Sequence, residues 1–310
     1  MKLRLDPWPA DYEAPIQIDE SAPPTSFHVN AAVETTNWRA IPAGAAEPRP
    51  CRFVDGVRRV EARVLADHDG ALVHGLFGSL AAGAVAAGAD RAAFDFVDVE
   101  RYLILGSGQQ RDASPCATIH FAARSMPENT PNAVLGELQS LMRAAESRAA
   151  ERAAAQGYVF VDGLSYRSTS GQNVVGVIKR IFETYLPPAQ FNLVESLTPG
   201  QRTPLFTIED GHFDRYSCFL RLSAPRAVDH PLTGIVRIEI GAAIGVDRGV
   251  ALASFAAATL PRFASTTARD PRAPQNLLPI GALESEMRRR LGDPVTIRRA
   301  IERLLHTTAA

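Results

Sequence analysis

Apolar and polar positions along the chain fall into blocks of two different periods. From Arg52 to Ala66 they alternate, with Val57, Arg59, Glu61 and Arg63 on one side and Arg58, Val60, Ala62 and Val64 on the other, the pattern of a long strand. Asp67-His68-Asp69-Gly70 supplies a turn, and Ala71 to Phe77 reads as the returning strand of a hairpin. Arg101 to Gly106 is a third strand. Between Ala133 and Gln156 the period changes: Leu135, Leu138, Leu141, Met142, Ala145, Ala149 and Ala153 recur at helical spacing among good helix formers. Further strands are expected at Gly157 to Gly163, Val174 to Arg180, Pro204 to Ile208, Tyr216 to Leu222 and Gly234 to Ile240. Helices are expected at Arg248 to Leu260 and at Ile280 to Leu291, the second closing on Arg288-Arg289-Arg290 before Gly292, a basic last turn suited to the negative helix end.

Within this pattern one phrase occurs twice. Cys51-Arg52-Phe53-Val54-Asp55-Gly56 and Gly157-Tyr158-Val159-Phe160-Val161-Asp162-Gly163 both write an apolar run that stops on Asp-Gly. A single Asp-Gly is a common turn signal. Two of them at strand tips set two carboxylates at one sheet edge. A meander of antiparallel strands, then a helix, then a strand, with a carboxylate at each strand end, is the order expected of an RNase H-like mixed sheet flanked by helices. Residues 1–48, rich in proline, read as an arm or small β appendage ahead of one domain spanning 49–310.

Composition changes this picture little. With 46% hydrophobic and 22% charged residues the chain is an ordinary globular protein, and a net charge of -1 leaves room only for local basic surface. The three cysteines, Cys51, Cys116 and Cys218, are widely spaced and lack a CxxC pair, which argues for a reducing cytoplasm and against a structural zinc site. No apolar signal-peptide core follows Lys2 and Arg4, and the uncharged run Gly75 to Ala89 falls short of the ~20 residues a spanning helix needs. There is no GxxxxGK[ST] phosphate loop, no HExxH pair and no GxSxG elbow.

Clustered carboxylates repel unless a divalent cation neutralises them, and an oxygen-rich site favours Mg²⁺ or Mn²⁺. Two such ions about 3.5–4 Å apart serve phosphodiester hydrolysis. Asp55 and Asp162 are the expected ligands, with a third acid from the long helix, either Glu146 or Glu151. Lys179, at the exit of the Val174 strand, offers charge to a phosphate. Arg272 supplies a planar fork, Gln275 and Asn276 supply amides, and Arg58, Tyr166 and Arg167 complete the candidate substrate contacts.

These segments resemble the NurA nucleases: Phe53-Val54-Asp55-Gly56, Phe160-Val161-Asp162-Gly163 after a long helix, Val175-Gly176-Val177-Ile178-Lys179, and Asp270-Pro271-Arg272-Ala273-Pro274-Gln275-Asn276-Leu277 leading into Pro279-Ile280-Gly281-Ala282-Leu283-Glu284. The resemblance runs from Phe53 to the C-terminus. It implies an RNase H-like fold, a homodimer and an Mn²⁺-dependent deoxyribonuclease, with Mg²⁺ as the alternative ion. It further implies DNA-end processing with a hexameric HerA-type translocase, by exonuclease action with single-strand endonuclease action left open. Its two aspartates fall on Asp55 and Asp162, its lysine on Lys179 and its helix acid on Glu146 or Glu151, with Glu151, nearer the strand, preferred. Leu164-Ser165-Tyr166-Arg167 departs from the family's usual turn. A different class remains open: a non-catalytic docking subunit of the same ATPase.

Overall fold

The computed structural model describes residues 2–5, 27–44, 49–88, 91–163, 173–181, 183–211, 213–266, 268–269 and 273–307. In chain order, β1 (Lys2–Leu5) and β2 (His28–Asn30) precede three long strands, β3 (Cys51–His68), β4 (Ala71–Ala87) and β5 (Ala92–Leu105). After them come β6 (Ala113–Cys116), β7 (Ile119–Ser125), the helix α1 (Pro131–Ala154), β8 (Tyr158–Asp162), β9 (Val174–Ile178) and α2 (Pro188–Ser196). The chain continues through β10 (Phe206–Glu209), β11 (Arg215–Arg221), β12 (Ile235–Gly241), α3 (Val246–Thr259), α4 (Leu278–Arg290) and α5 (Pro294–Thr307).

All the strands join one mixed sheet, ordered β2-β10-β11-β12-β9-β8-β3-β4-β5-β7-β6, with β1 paired to the far end of β3. The β3-β4-β5 meander is antiparallel, while β8 and β9 run parallel to β3. Asp69 and Gly70, at φ 52° and 77°, form the two-residue turn that closes the first hairpin at His68 opposite Ala71. Such a turn matches the right-handed twist of the strands it joins, which fixes the register of the long pair.

Helix α1 starts where Thr130 Oγ1 accepts the Ala133 amide at 3.1 Å and Pro131 needs no amide partner. Its stripe of Leu135, Leu138, Ala145, Ala149 and Ala153 is buried against Val54, Leu80, Ala82, Val159 and Val161. The other face carries three helices in succession. On it α3 sets Leu252, Ala253 and Ala256 against Phe53, Phe160 and Val177, and α4 sets Leu283, Met287 and Leu291 on Val57, Ala81 and Val97. Further along, α5 sets Ile297, Ile301 and Leu305 on Ala62, Val64 and Phe77. With apolar cover on both sides, β8 must be apolar at nearly every position, and it is.

Several sequence expectations change in detail. Asp55-Gly56 does not end a strand: β3 runs through it to His68, and Gly56 is there for packing rather than turning. A Cβ at Gly56 would stand 3.3 Å from Met142 Cγ and 3.6 Å from Glu146 Cβ on α1. A bulge between Val60 and Ala62 shifts the phase of β3, so Ala62 and Val64 join the face that Val57 occupies. The third meander strand begins at Ala92, ahead of Arg101, because its first part, before β7 pairs with it at Tyr102, has exposed positions and lacks a continuous apolar signature. The short β6, β7 and α2, and the amphipathic α5, were not expected.

The described parts of residues 1–48 add strands to the same sheet, with β2 pairing with β10. A buried ion pair fastens this segment: Arg202 donates to Glu34 at 2.7 and 2.8 Å, and Glu34 Oε2 also accepts the Leu205 amide at 2.7 Å. Burial alone would raise the Glu34 pKa. The Arg202 hydrogen bond, the Leu205 amide and the Arg202 charge outweigh it and hold the carboxyl below its ordinary value. A depressed carboxylate contributes stability that is present above its unfolded pKa and lost as pH falls through the folded value. Glu34→Gln is therefore expected to cost about 3 kcal/mol by leaving the Arg202 charge buried alone. Urea denaturation across the acid range should show the parent approaching the variant below about pH 4.5, and a parent without that acid limb would refute the assignment.

Candidate active site

The parallel register Val54 opposite Val161, carried one residue on, sets Asp55 level with Asp162 on the neighbouring strand. Level residues of parallel strands point to the same face, here the face that α4 covers. There β8 ends, because Gly163 at φ 96° turns the chain away, its amide held by Val177 O at 3.0 Å. β3 continues past it. The gap beside β3 is where the acids meet. Leu283, seated on Val57 and Ala81, brings its neighbour Glu284 to this gap from above. Carboxylate oxygens of Asp55, Asp162 and Glu284 all lie within 4.8 Å of one another. No other trio of His, Cys, Asp or Glu among the described residues converges in this way.

Lys179 closes the group. It stands two residues beyond Val177, the partner of Asp162 in the β8-β9 register, and its ammonium donates to Asp162 Oδ2 and to Asn276 Oδ1. Asn276 is 1% exposed. Its amide thus orients the lysine rather than lying open to a ligand. Asp55 is itself buried, its Oδ1 accepting the Gly56 amide at 2.8 Å. Burial does most to push its pKa well above the ordinary carboxylate range. Asp162, Glu146 and Glu284 add repulsion, and Lys179 pulls the other way. Like charges 4–5 Å apart repel by about 3–4 kcal/mol at an effective dielectric constant near 20. One lysine offsets only part of the charge of so many acids, and a divalent cation fits this donor set of hard oxygens.

A family model of the NurA domain matches residues 69–280, more than two thirds of the chain. The chain belongs to the NurA family. The NurA match takes in Glu146, Asp162, Lys179 and Asn276, and it stops short of Asp55 on one side and Glu284 on the other. Among solved structures, the crystal structure of the NurA nuclease from Sulfolobus solfataricus is similar at a TM-score of 0.46 and 11% identity, covering 81% of each chain. No curated protein matches the sequence.

Within this NurA chain the sequence-derived candidates are not all brought together. Glu146 on α1 lies close enough to Asp55 to raise its pKa, whereas Glu151, the preferred choice, is exposed and outside that group. Five residues along a helix is about 140° around its axis, so one turn of α1 cannot present both acids to the same point. Arg58 is hydrogen-bonded to Gln139 of α1, and burial lowers its pKa. Gln275 is half-buried beside Asn276. Tyr166, Arg167 and Arg272 lie outside the described residues. Glu284 was missed as a site residue, although the Leu283 and Met287 stripe next to it marks the helix that carries it. Another unused signal is that Lys179 is one of only two lysines in a chain that otherwise takes arginine for its cations; a compact ammonium differs from a guanidinium fork.

The raised pKa of Asp55 has a measurable sign. Its folded form holds the proton more tightly than the unfolded chain does, so the stability it contributes is present at acid pH and lost as pH rises through the folded value. In EDTA, Asp55→Asn should melt above the parent at about pH 8 by at least ~2 °C, the shift that ~1 kcal/mol gives in a chain of this size. The gap should close as pH falls toward about 4. Equal melting temperatures at both pH values would show that Asp55 is not under this strain.

Proposed function

We propose that this NurA-family chain is a metal-dependent DNA nuclease that hydrolyses phosphodiester bonds. The observation that carries the reading is the meeting of Asp55, Asp162 and Glu284 within 4.8 Å, with Lys179 fixed against Asp162. Asp55, Asp162 and Glu284, with Glu146 alongside, are the residues that would hold the cation. When bound, a divalent ion supplies the charge that polarises a phosphate ester and favours attack by water.

The chain's own groups do the rest. The buried carboxylate of Asp55 gives a rigid, poorly solvated donor at the base of the site. The Lys179 ammonium, held in place by Asn276, is positioned to leave Asp162 for a phosphoryl oxygen as negative charge develops there. Gln275, on the loop before α4, is suited to a neighbouring phosphate. The five strands β5-β4-β3-β8-β9, with α1 crossing between β3 and β8, support the RNase H-like reading of this core.

Family membership supports the finer parts of the proposal: Mn²⁺ as the working ion, a homodimer, and DNA-end processing in company with a hexameric HerA-type ATPase. A reducing cytoplasm is consistent with three free cysteines, of which Cys51 and Cys218 are buried with their thiols pushed up to about 12. Among the described residues no helix is long and apolar enough to cross a membrane.

The test is digestion of linear DNA with Mn²⁺ by the parent and by Asp55→Asn, Asp162→Asn and Glu284→Gln. Loss of groups that merely support a ligand costs 10–100-fold in metal affinity or activity, so loss of a ligand is expected to lower the rate by on the order of a hundredfold or more. Unchanged cleavage in all three variants would reject the hydrolytic reading. If the parent cuts no DNA yet co-elutes with the ATPase, the docking-subunit reading takes its place.

A further inference from the structure

The chain as a whole is close to neutral, with 33 basic and 34 acidic residues. The stretch from Glu286 to Thr307 departs from that balance, holding six arginines against the three carboxylates Glu286, Asp293 and Glu302. Those carboxylates are already engaged. Glu286 accepts from both Arg289 and Arg290, Glu302 pairs with Arg298 at 2.9 Å, and Asp293 Oδ1 caps α5 through the Thr296 amide at 2.7 Å. Arg288, Arg299 and Arg303 are exposed and make no ion pair among the described residues.

Their placement follows from the two helices. Arg288 stands one turn beyond Glu284, a rise of about 6 Å, on the same stripe of α4, so it projects to the side from which Glu284 reaches the acids. Beyond Leu291 the face continues onto α5, whose buried Ile297, Ile301 and Leu305 turn Arg299 and Arg303, one turn apart, outward. The seam between the helices is rigid. Arg59 donates to the carbonyls of Leu291 and Gly292, Arg101 donates to Leu291 O, and buried Glu61 holds Arg59 in turn at 2.9 Å. The arginines are therefore presented on a fixed surface that begins beside the acids and leads away along one face of the sheet.

We propose that Arg288, Arg299 and Arg303 form a track for the phosphate backbone of the DNA whose end lies in the site, an inference that rests on the nuclease reading above. Guanidinium forks suit phosphate oxygens, and charge of this kind binds without regard to sequence. It also answers how a chain with no net positive charge holds a polyanion: the basic surface is concentrated where the substrate must leave the acids.

The experiment is fluorescence anisotropy of a labelled duplex of roughly 20 base pairs with the full chain in EDTA, titrated from about 50 to about 200 mM KCl. Each phosphate contact adds about 0.9 to the slope of log K against log salt, so three contacts make the parent lose affinity ~40-fold more steeply over that range than Arg288→Ala/Arg299→Ala/Arg303→Ala. The corresponding triple Lys variant keeps the charge and should keep the slope. Arg39→Ala/Arg91→Ala/Arg226→Ala, which removes three exposed arginines elsewhere, should also keep it. Equal slopes for parent and the first Ala variant, an equal drop in the control, or a parent that leaves DNA unbound at the lowest salt would each overturn the track. Because no metal is present, the binding result is independent of hydrolysis, and failure of the Asp55→Asn cleavage test would not be mistaken for failure here.

Discussion

The structure depends on holding like charges together against their own repulsion. Lys179 attracts Asp55 and Asp162, but one cation does not balance the three acids Asp55, Asp162 and Glu284. They are placed by the parallel register of β3 with β8 and by the seating of Leu283 on Val57, both driven by apolar burial. The opposing force is a few kcal/mol, and the cores on either side of the sheet are large enough to override it. An arrangement that raises the pKa of a buried acid without serving the fold is the kind found at working sites.

The sheet does more than supply strands. Its two faces are covered differently: α1 lies on one, while α3, α4 and α5 share the other. The acids sit where the edge of β3 away from β4 lacks a partner, between the end of β8 and the start of its pairing with β1. Glu146 approaches from the α1 side across Gly56, whose missing side chain permits the close packing there. Asp55 thus feels like charge from both layers, which adds to the larger effect of its burial.

Much of this was readable from the chain because buried parallel strands and amphipathic helices write strong periodic signals. The Tyr158–Asp162 run, the Leu135 and Leu138 stripe and the Asp69-Gly70 turn are of that kind. The misreadings have physical causes. Asp55-Gly56 looked like a strand end because Asp-Gly usually turns, yet here glycine serves helix packing. The bulge at Glu61 shifts the phase of the long strand, so that Ala62 and Val64, read on the side opposite Val57, share its face. Glu146 and Glu151 could not be ranked by strand proximity alone, and Glu284 could not be found at all, since what selects an acid is helix azimuth and tertiary seating, which no local window contains.

Two of the acids come from strands well ahead of α4 in the chain, but Glu284 and the Asn276 that steadies Lys179 lie eight residues apart on one later segment. During synthesis, which proceeds from the N-terminus, the ribosome-bound chain holds Asp55 and Asp162 long before the residue that completes the trio has been added. An emerging chain accordingly holds two of the three acids without the helix that brings the third, and the trio assembles only when α4 has been made and seated on Val57 and Ala81.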